Sequence, residues 1–303
     1  MRRLIALALA SALALAGCSS PSSDPSSSAS NVGQVDAISV GSSDTLAPSL
    51  EFETGLDYPL DDYRVEWDGS GAALQDGQPL LLDIYAESLV DRTPLINTYD
   101  GLPRSFLLAP EVVGQELYDI LIDLSVGARV VQVASAGEGS TDEPPVALVI
   151  DVLSDRAEGT SAQANPDLPA VTVSATGEPT IEIPDTDAPT TLKVSTLIQG
   201  AGPQITSGSF VTVNYVGVYW DDGSDADSEW NSGDIFESSW PAEQAPFETQ
   251  IGVGQVVAGW DQALIDITAG SQVEIVVPSS FGYPDVGTLV FVVDVLDVWK
   301  PEN

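Results

Sequence analysis

The chain has 303 residues, enough for two domains of common size, and a formal net charge of −37 from 46 acidic and nine basic residues. It has no histidine and one cysteine, which excludes Ser-His-Asp and Cys-His catalysis, histidine-ligated zinc and internal disulfides. The acidic surface repels phosphates, so no nucleic-acid partner is predicted. Any chemistry must use carboxylates, hydroxyls, or shape and burial alone, and no cofactor or metal is predicted.

The N-terminal residues are typical of a bacterial secretion signal. Arg2 and Arg3 precede an apolar run over 4–16 that is short for a membrane span. "LAGC" at 15–18 resembles the bacterial lipobox, which implies cleavage before Cys18 and lipidation of that cysteine. We therefore predict a signal peptide over 1–17 and a lipoprotein anchored outside the cell membrane, the alternative being an incidental or buried cysteine. Residues 18–46, rich in Ser and Pro at their start, are predicted to form a flexible tether.

Three sequence blocks occur twice in the same order. "LLLDIYAESLVD" matches "FVTVNYVGVYWD", with Tyr85 beside Tyr215; "ILIDLSVGARVVQV" matches "ALIDITAGSQVEIV"; and "VALVIDVLSD" matches "TLVFVVDVLDV". The repeat predicts a first domain over 47–158, a linker with leading strands over 159–190, and a second domain over 191–303.

Each copy alternates apolar and polar residues at strand spacing around one short helical segment. A single helix among antiparallel strands has to bury its apolar stripe against one face of the sheet. The predicted fold class is therefore α+β, with two tandem domains, each an antiparallel sheet wrapped around one short helix.

The second copy carries a patterned set of aromatic residues and several ordered motifs. "VTVNYVGVYWDDG", "IFESSW", "PFETQIGVGQVVAGWDQAL", "GSQVEIVVP" and "GTLVFVVDVL" together resemble the FKBP-type peptidyl-prolyl cis-trans isomerases over about 192–299. The resemblance implies an FKBP fold and isomerase activity. It also implies that Trp260 is the floor of a proline pocket and that the Val257 N–H donates to a substrate carbonyl. The whole implied site is Tyr215, Phe236, Glu237, Phe247, Val256, Val257, Trp260, Tyr283 and Phe291.

Three features depart from the family pattern. Glu237 stands where the family usually has aspartate, and "PDVG" at 284–287 replaces a longer loop. The connection over 221–234 is long, and its Asp225, Asp227 and Glu229 mimic the start of a calcium loop. Because Trp230 replaces the required glycine of such a loop, a solvated acidic loop is preferred.

The first copy lacks much of the implied site. Leu117 aligns with Trp260, "SAGEGSTDEPP" replaces the segment that carries Tyr283, and Tyr85, Tyr99 and Phe106 are only approximately retained. This pattern predicts a degenerate FKBP-like domain without isomerase activity, serving as spacer, dimer surface or client-binding platform.

The resulting hypothesis is an isomerase that assists the folding of exported proteins with Xaa-Pro bonds at the outer face of the cell membrane. Macrolide inhibitors are possible ligands. The alternative is a lipid-anchored, non-catalytic chaperone or peptide-binding module on the same fold. Composition alone supports neither, since a tryptophan after a glycine at a helix start is more often a core residue.

Overall fold

The computed structural model describes residues 33–41, 46–60, 62–135, 145–174, 176–220, 230–240 and 245–301. The predicted signal peptide, Cys18 and Asp225, Asp227 and Glu229 lie outside these residues. Within the part of the chain that the structure describes, no helix is long and apolar enough to cross a bilayer, and no cluster of acidic or cysteine side chains has the arrangement of a metal site.

Two antiparallel sheets follow each other along the chain. The elements of the first half are β1 (Ser39–Val40), β2 (Leu50–Glu51), β3 (Tyr63–Trp67), β4 (Pro79–Ser88), β5 (Pro94–Asn97), β6 (Arg104–Leu107), α1 (Pro110–Val113), α2 (Gln115–Leu121), β7 (Arg129–Ser135) and β8 (Pro145–Leu153). Those of the second half are β9 (Thr160–Ser161), β10 (Ala170–Val173), β11 (Pro179–Glu182), β12 (Lys193–Gln199), β13 (Phe210–Tyr219), β14 (Ile235–Ser238), β15 (Phe247–Gln250), α3 (Ala258–Ala263), β16 (Gln272–Val277) and β17 (Leu289–Trp299).

The two sheets repeat one strand order. The first runs β3-β7-β8-β4-β5, with β6 also paired to β4, and the second runs β12-β16-β17-β13-β14, with β15 also paired to β13. The second sheet adds β9 beyond β12. All strand pairs are antiparallel, and long central strands rich in Val, Ile and Leu support short edge strands.

Each sheet packs one face against its helical segment. In the second half, Trp260, Ala263 and Leu264 meet the inward side chains of β13, β16 and β17 in one buried cluster. In the first half, Ile120 and Leu121 of α2 pack on β4, β7 and β8. The first copy has two short helices rather than the single one predicted, because the chain breaks at Gly114, whose φ of 83° is incompatible with a continuous helix.

The other face of each sheet is covered by the segment that precedes it. Before the first sheet, a 3₁₀ turn at Val35–Ala37 and the hairpin β1–β2 bury Val35, Ile38, Leu50 and Phe52 against that face. Before the second sheet, the hairpin β10–β11 buries Leu168 and Ile181 in the same way. We call these two segments the first cover (33–60) and the second cover (160–188).

The first cover corrects one prediction. Residues 33–41 belong to the predicted flexible tether, yet Val35 and Ile38 are buried and the N–H of Gly41 donates to Ser49 O at 2.9 Å. The composition of the preceding Ser- and Pro-rich stretch is therefore a poor guide to this segment. Its few apolar residues are enough to dock it on the sheet.

Two carboxyl groups lie enclosed near the second cover. Glu274 is 1% exposed, and its Oε1 has no hydrogen-bond partner among the residues described. Desolvation raises the pKa of Glu274 to about 7. Burial likewise raises the pKa of Asp294 to about 6, although the Ala157 N–H and the Gln272 amide donate to its oxygens and oppose the shift.

We expect the stability of the chain to fall as the pH rises through 7. Because the folded-state pKa of Glu274 lies above its ordinary value of 4.5, the protonated form favours folding. The contribution of protonated Glu274 to the free energy of unfolding is complete below about pH 4.5 and is lost as the pH rises through about 7. The loss amounts to roughly 3 kcal/mol. In urea unfolding at pH 5 and pH 8, Glu274→Gln should reduce this pH dependence and leave the part that the raised pKa of Asp294 contributes. Glu248→Gln, an exposed control, should follow the wild type; a Glu274→Gln profile that also follows the wild type would contradict the assignment.

Candidate functional site

The site forms where α3 meets the inward face of the second sheet. The Cβ of a residue larger than glycine at Gly259 would lie 2.7 Å from Val277 Cγ1, so the glycine allows the first turn of α3 to approach β16 closely. This approach seats the next residue, Trp260, deep in the core with 4% of its surface exposed. A glycine precedes the tryptophan because only a glycine leaves room for this contact.

Three aromatic rings stand edge-on to the Trp260 indole. The centroid of Tyr215 lies 5.1 Å away at 87°, that of Phe291 5.4 Å away at 89°, and that of Phe247 6.3 Å away at 81°. Edge-to-face pairs of this kind are favourable and fix the ring planes. The Nε1 of Trp260 has no hydrogen-bond partner among the described residues. The indole is thus a rigid, buried floor.

The walls come from edge strands and loops around this floor. Phe236 of β14 lies 5.5 Å from Tyr283 and 6.3 Å from Phe291, measured between ring centroids. Phe247 and Tyr283 are 39% and 42% exposed, so the rim of the cavity faces solvent. The cavity has a volume of about 260 Å³ and is lined by Tyr215, Phe236, Glu237, Phe247, Gln255, Val256, Val257, Trp260, Tyr283 and Phe291.

Asp261 holds the loop that carries the two valines. Its carboxylate oxygens accept hydrogen bonds from the N–H groups of Gly252 and Gly254, each at 2.7 Å. Val257 is the N-cap residue of α3, with φ −58° and ψ 146°, so its N–H lies outside the hydrogen bonds of the helix. Val257 itself lines the cavity.

Tyr215 and Glu237 form the polar part of the lining. Both residues line the cavity, and the Glu237 side chain lies close enough to the Tyr215 hydroxyl to affect its pKa. The pKa of Tyr215 is raised well above its usual range, mainly by desolvation and to a lesser extent by the neighbouring Glu237 carboxylate. The hydroxyl therefore stays protonated at physiological pH.

The structure brings all nine residues of the predicted site to this one cavity. It adds Gln255, whose Nε2 donates to Gln250 Oε1 at 3.3 Å and which directly precedes the two predicted valines. It also adds an outer aromatic pair in which Tyr219 stacks on Trp230 at 4.9 Å and meets Phe236 edge-on at 5.5 Å. The sequence motif already contained Gln255, but nothing in its residue type distinguished it.

In the first sheet, aliphatic residues and one arginine occupy the positions equivalent to the aromatic residues of the cavity. Ile84 pairs with Ile150 as Tyr215 pairs with Val293, so Ile84, not Tyr85, occupies the tyrosine position. Tyr85 lies on the opposite face, among the residues under the first cover, where its hydroxyl donates to Glu87 Oε1 at 2.7 Å. The same registers place Leu95 at Phe236, Arg104 at Phe247 and Leu148 at Phe291. The predicted pairing of Tyr85 with Tyr215 is therefore wrong. Phe106 lies where the second sheet has Thr249, and Tyr99 packs with the residues under the first cover.

The fold and the cavity together define a protein with a small cavity walled by aromatic side chains. Residues 202–296 match the family model of the FKBP-type peptidyl-prolyl cis-trans isomerases, a range that contains every residue of the cavity. The chain is 31% identical over 131 residues to the FK506-binding protein of Streptomyces anulatus, covering 40% of this chain and 97% of that protein.

Two further relatives match the same way. The FK506-binding protein 1B of Neurospora crassa is 36% identical over 92 residues, which are 30% of this chain and 76% of that protein. The probable FK506-binding protein of Corynebacterium glutamicum is 28% identical over 127 residues, which are 39% of this chain and 97% of that protein. The chain belongs to the FKBP family and is an FKBP-type peptidyl-prolyl cis-trans isomerase.

Proposed function

We propose that the chain isomerises Xaa-Pro bonds of exported proteins at the outer face of the cell membrane, with the substrate proline seated on Trp260. The observation that carries this proposal is the aromatic cavity itself, which has the depth and the apolar walls to hold a pyrrolidine ring. The site residues are Tyr215, Phe236, Glu237, Phe247, Val256, Val257, Trp260, Tyr283 and Phe291.

The mechanism follows from the electronic structure of the amide. The two isomers of an Xaa-Pro bond differ little in free energy, but rotation crosses a barrier of ~20 kcal/mol. Planar amide resonance separates charge, which water stabilises, and twisting the bond reduces that separation. An apolar cup therefore disfavours the planar form more than the twisted one, and this difference accelerates rotation. In this proposal the Val257 N–H donates to a substrate carbonyl, and no step needs a nucleophile or proton transfer.

The first sheet is proposed to be a second, degenerate FKBP-like copy. It repeats the strand order of the second sheet, with Ile84, Leu117 and Leu148 at three of the aromatic positions. Without an aromatic floor it would not isomerise proline bonds. A role as spacer, dimer surface or client-binding platform remains compatible with its half-buried aliphatic residues.

An isomerisation assay on the full chain tests the proposal. The cis-to-trans rate of an Xaa-Pro peptide is measured with and without the chain, and again in the presence of FK506. FK506 is chosen because the relatives are called FK506-binding proteins. We expect acceleration by the chain and loss of that acceleration with the macrolide. Suppression of client aggregation without any acceleration would favour the non-catalytic chaperone instead.

The location needs a separate test at Cys18. Because each buried CH₂ of an acyl chain contributes ~0.8 kcal/mol, a lipidated Cys18 would hold the chain firmly on the membrane. In a bacterial host, the wild-type chain should fractionate with membranes and Cys18→Ser with the soluble material. Equal fractionation of both would overturn the proposed anchor.

A further inference from the structure

Two short strands share one edge of β13 and leave a gap between them. The pairing of β15 with β13 ends at Val213, and the pairing of β14 begins at Val216. Asn214 and Tyr215 lie in the gap, so neither residue pairs with β14 or β15 along this edge. The gap matters because Tyr215 lines the cavity and β14 carries Phe236 and Glu237.

Ser239 fills this gap. Its Oγ accepts a hydrogen bond from the Tyr215 N–H at 2.9 Å and donates to Asn214 Oδ1 at 2.9 Å. Its own N–H donates to the Tyr215 carbonyl at 3.0 Å. The side chain is buried. One hydroxyl thus replaces the missing strand and fastens the end of β14 to the residue that carries the pocket tyrosine.

The amide of Asn214 extends this network away from the cavity. Its Nδ2 donates to the Asp155 carbonyl at 2.8 Å, in the segment that joins the two sheets. With its N–H₂ group occupied in this way, Asn214 presents Oδ1 to the Ser239 hydroxyl. The hydroxyl proton then points at Asn214, which leaves the oxygen free to accept from the Tyr215 N–H.

The first sheet contains the same arrangement, but with an isoleucine in place of the cavity tyrosine. Thr98 Oγ1 accepts from the Ile84 N–H at 2.7 Å and donates to Asp83 Oδ1 at 2.8 Å, and its N–H donates to the Ile84 carbonyl at 3.0 Å. The hydrogen bonds are equivalent, but here the residue they fix is an isoleucine. The chain therefore supplies its own comparison between a structural role and a positioning role.

We infer that Ser239 is a positioning residue of the isomerase: its hydroxyl fixes the backbone of Tyr215 and, through it, the contacts of Tyr215 with Glu237 and Trp260. This inference rests on the proposed role of the cavity. Loss of the hydroxyl leaves a buried N–H without an acceptor, so the strand shifts to satisfy it. A shift at Tyr215 moves a wall of the cavity relative to its floor, so the rate and the binding of ligands in the cavity both fall.

Three variants of the full chain test the inference. Ser239→Ala removes the hydroxyl at the cavity, Thr98→Ala removes its counterpart in the first sheet, and Ser239→Thr keeps a hydroxyl as the first sheet does. The measurements are kcat and KM for an Xaa-Pro peptide, FK506 affinity from Trp fluorescence, and the midpoint of urea unfolding.

We expect both alanine variants to lower the unfolding midpoint by similar amounts. Only Ser239→Ala should lower kcat and weaken FK506 binding, each by about tenfold, and Ser239→Thr should restore both. Wild-type kcat in Ser239→Ala, or an equal loss in Thr98→Ala, would overturn the inference. If the wild-type chain is inactive, the proposed function fails separately, and FK506 affinity then decides: about tenfold weaker binding in Ser239→Ala alone supports positioning, and unchanged binding refutes it.

Discussion

Replacing Trp260 with leucine should lower kcat/KM for an Xaa-Pro peptide by about a hundredfold while the fold persists. The prolyl ring would lose its contact surface, and burial of about four CH₂ groups at ~0.8 kcal/mol each gives ~3 kcal/mol, or about two powers of ten in rate. The first sheet carries Leu117 at this position, packed against its own core. Leucine is therefore compatible with this helix in this fold.

Trp299→Leu is the matched control for this prediction. Trp299 also contacts an aromatic ring, that of Phe210 at 5.4 Å, but it lies at the end of β17 and does not line the cavity. It should lose stability and keep kcat/KM near the wild-type value. Rates are measured at a temperature where circular dichroism shows each variant folded, because both substitutions leave voids. More than a third of wild-type kcat/KM in Trp260→Leu would show that the indole is only a core residue.

Replacing Arg129 with alanine should lower the free energy of unfolding by about 3–5 kcal/mol. Arg129 is fully buried and donates through Nε and Nη2 to the two carboxylate oxygens of Asp151, while Nη1 donates to the Gly41 carbonyl at 3.0 Å. Its guanidinium lies 4.5 Å from the centroid of the Trp67 ring. In the variant, Asp151 stays buried and loses both hydrogen bonds from Arg129. It keeps the hydrogen bond that the Tyr99 hydroxyl donates at 2.6 Å.

The control for this prediction is Arg104→Ala. Arg104 is an exposed residue of β6, so its loss should change the free energy of unfolding by no more than ~0.5 kcal/mol. Urea unfolding at pH 7 measures both variants. At temperatures where Arg129→Ala is folded, isomerisation should be unchanged, because the cavity lies on the second sheet. If Arg129→Ala lowers the free energy of unfolding by less than 1 kcal/mol, the buried Arg129–Asp151 pair does not stabilise the fold as predicted.

The nine residues of the predicted site come together in one cavity because they lie in motifs of fixed local spacing. Phe236 with Glu237, and Val256 with Val257 and Trp260, are held together by a single strand or turn, and the strands that carry Tyr215 and Phe291 pair directly. Ser239 also lies in a recognised motif, "IFESSW", but its role depends on the gap between two edge strands. Only the paired strand registers reveal that gap.

Comparison of the two copies failed where a shift of one residue matters. Placing Tyr85 beside Tyr215 matches the residue types, but strand side chains alternate between faces, so this choice moves the residue to the opposite side of the sheet. The registers instead pair Ile84 with Tyr215. Aligning the two tyrosines by residue type gives the wrong register. The correct register is fixed by hydrogen bonds between strands, which the sequence does not display.

The two covers determine where the chain can be divided for study. A fragment that begins at Leu192, close to the predicted domain start, would lack β9, β10 and β11 and leave Val216, Val218 and Trp220 without the apolar residues that enclose them. Such a fragment should aggregate even though it contains the whole cavity. A fragment that begins near Asp155 keeps the β10–β11 hairpin. It also keeps the hydrogen bond from the Asn214 amide to the Asp155 carbonyl and the one from the Ala157 N–H to Asp294. The smallest soluble unit is therefore expected to be larger than the region of family similarity.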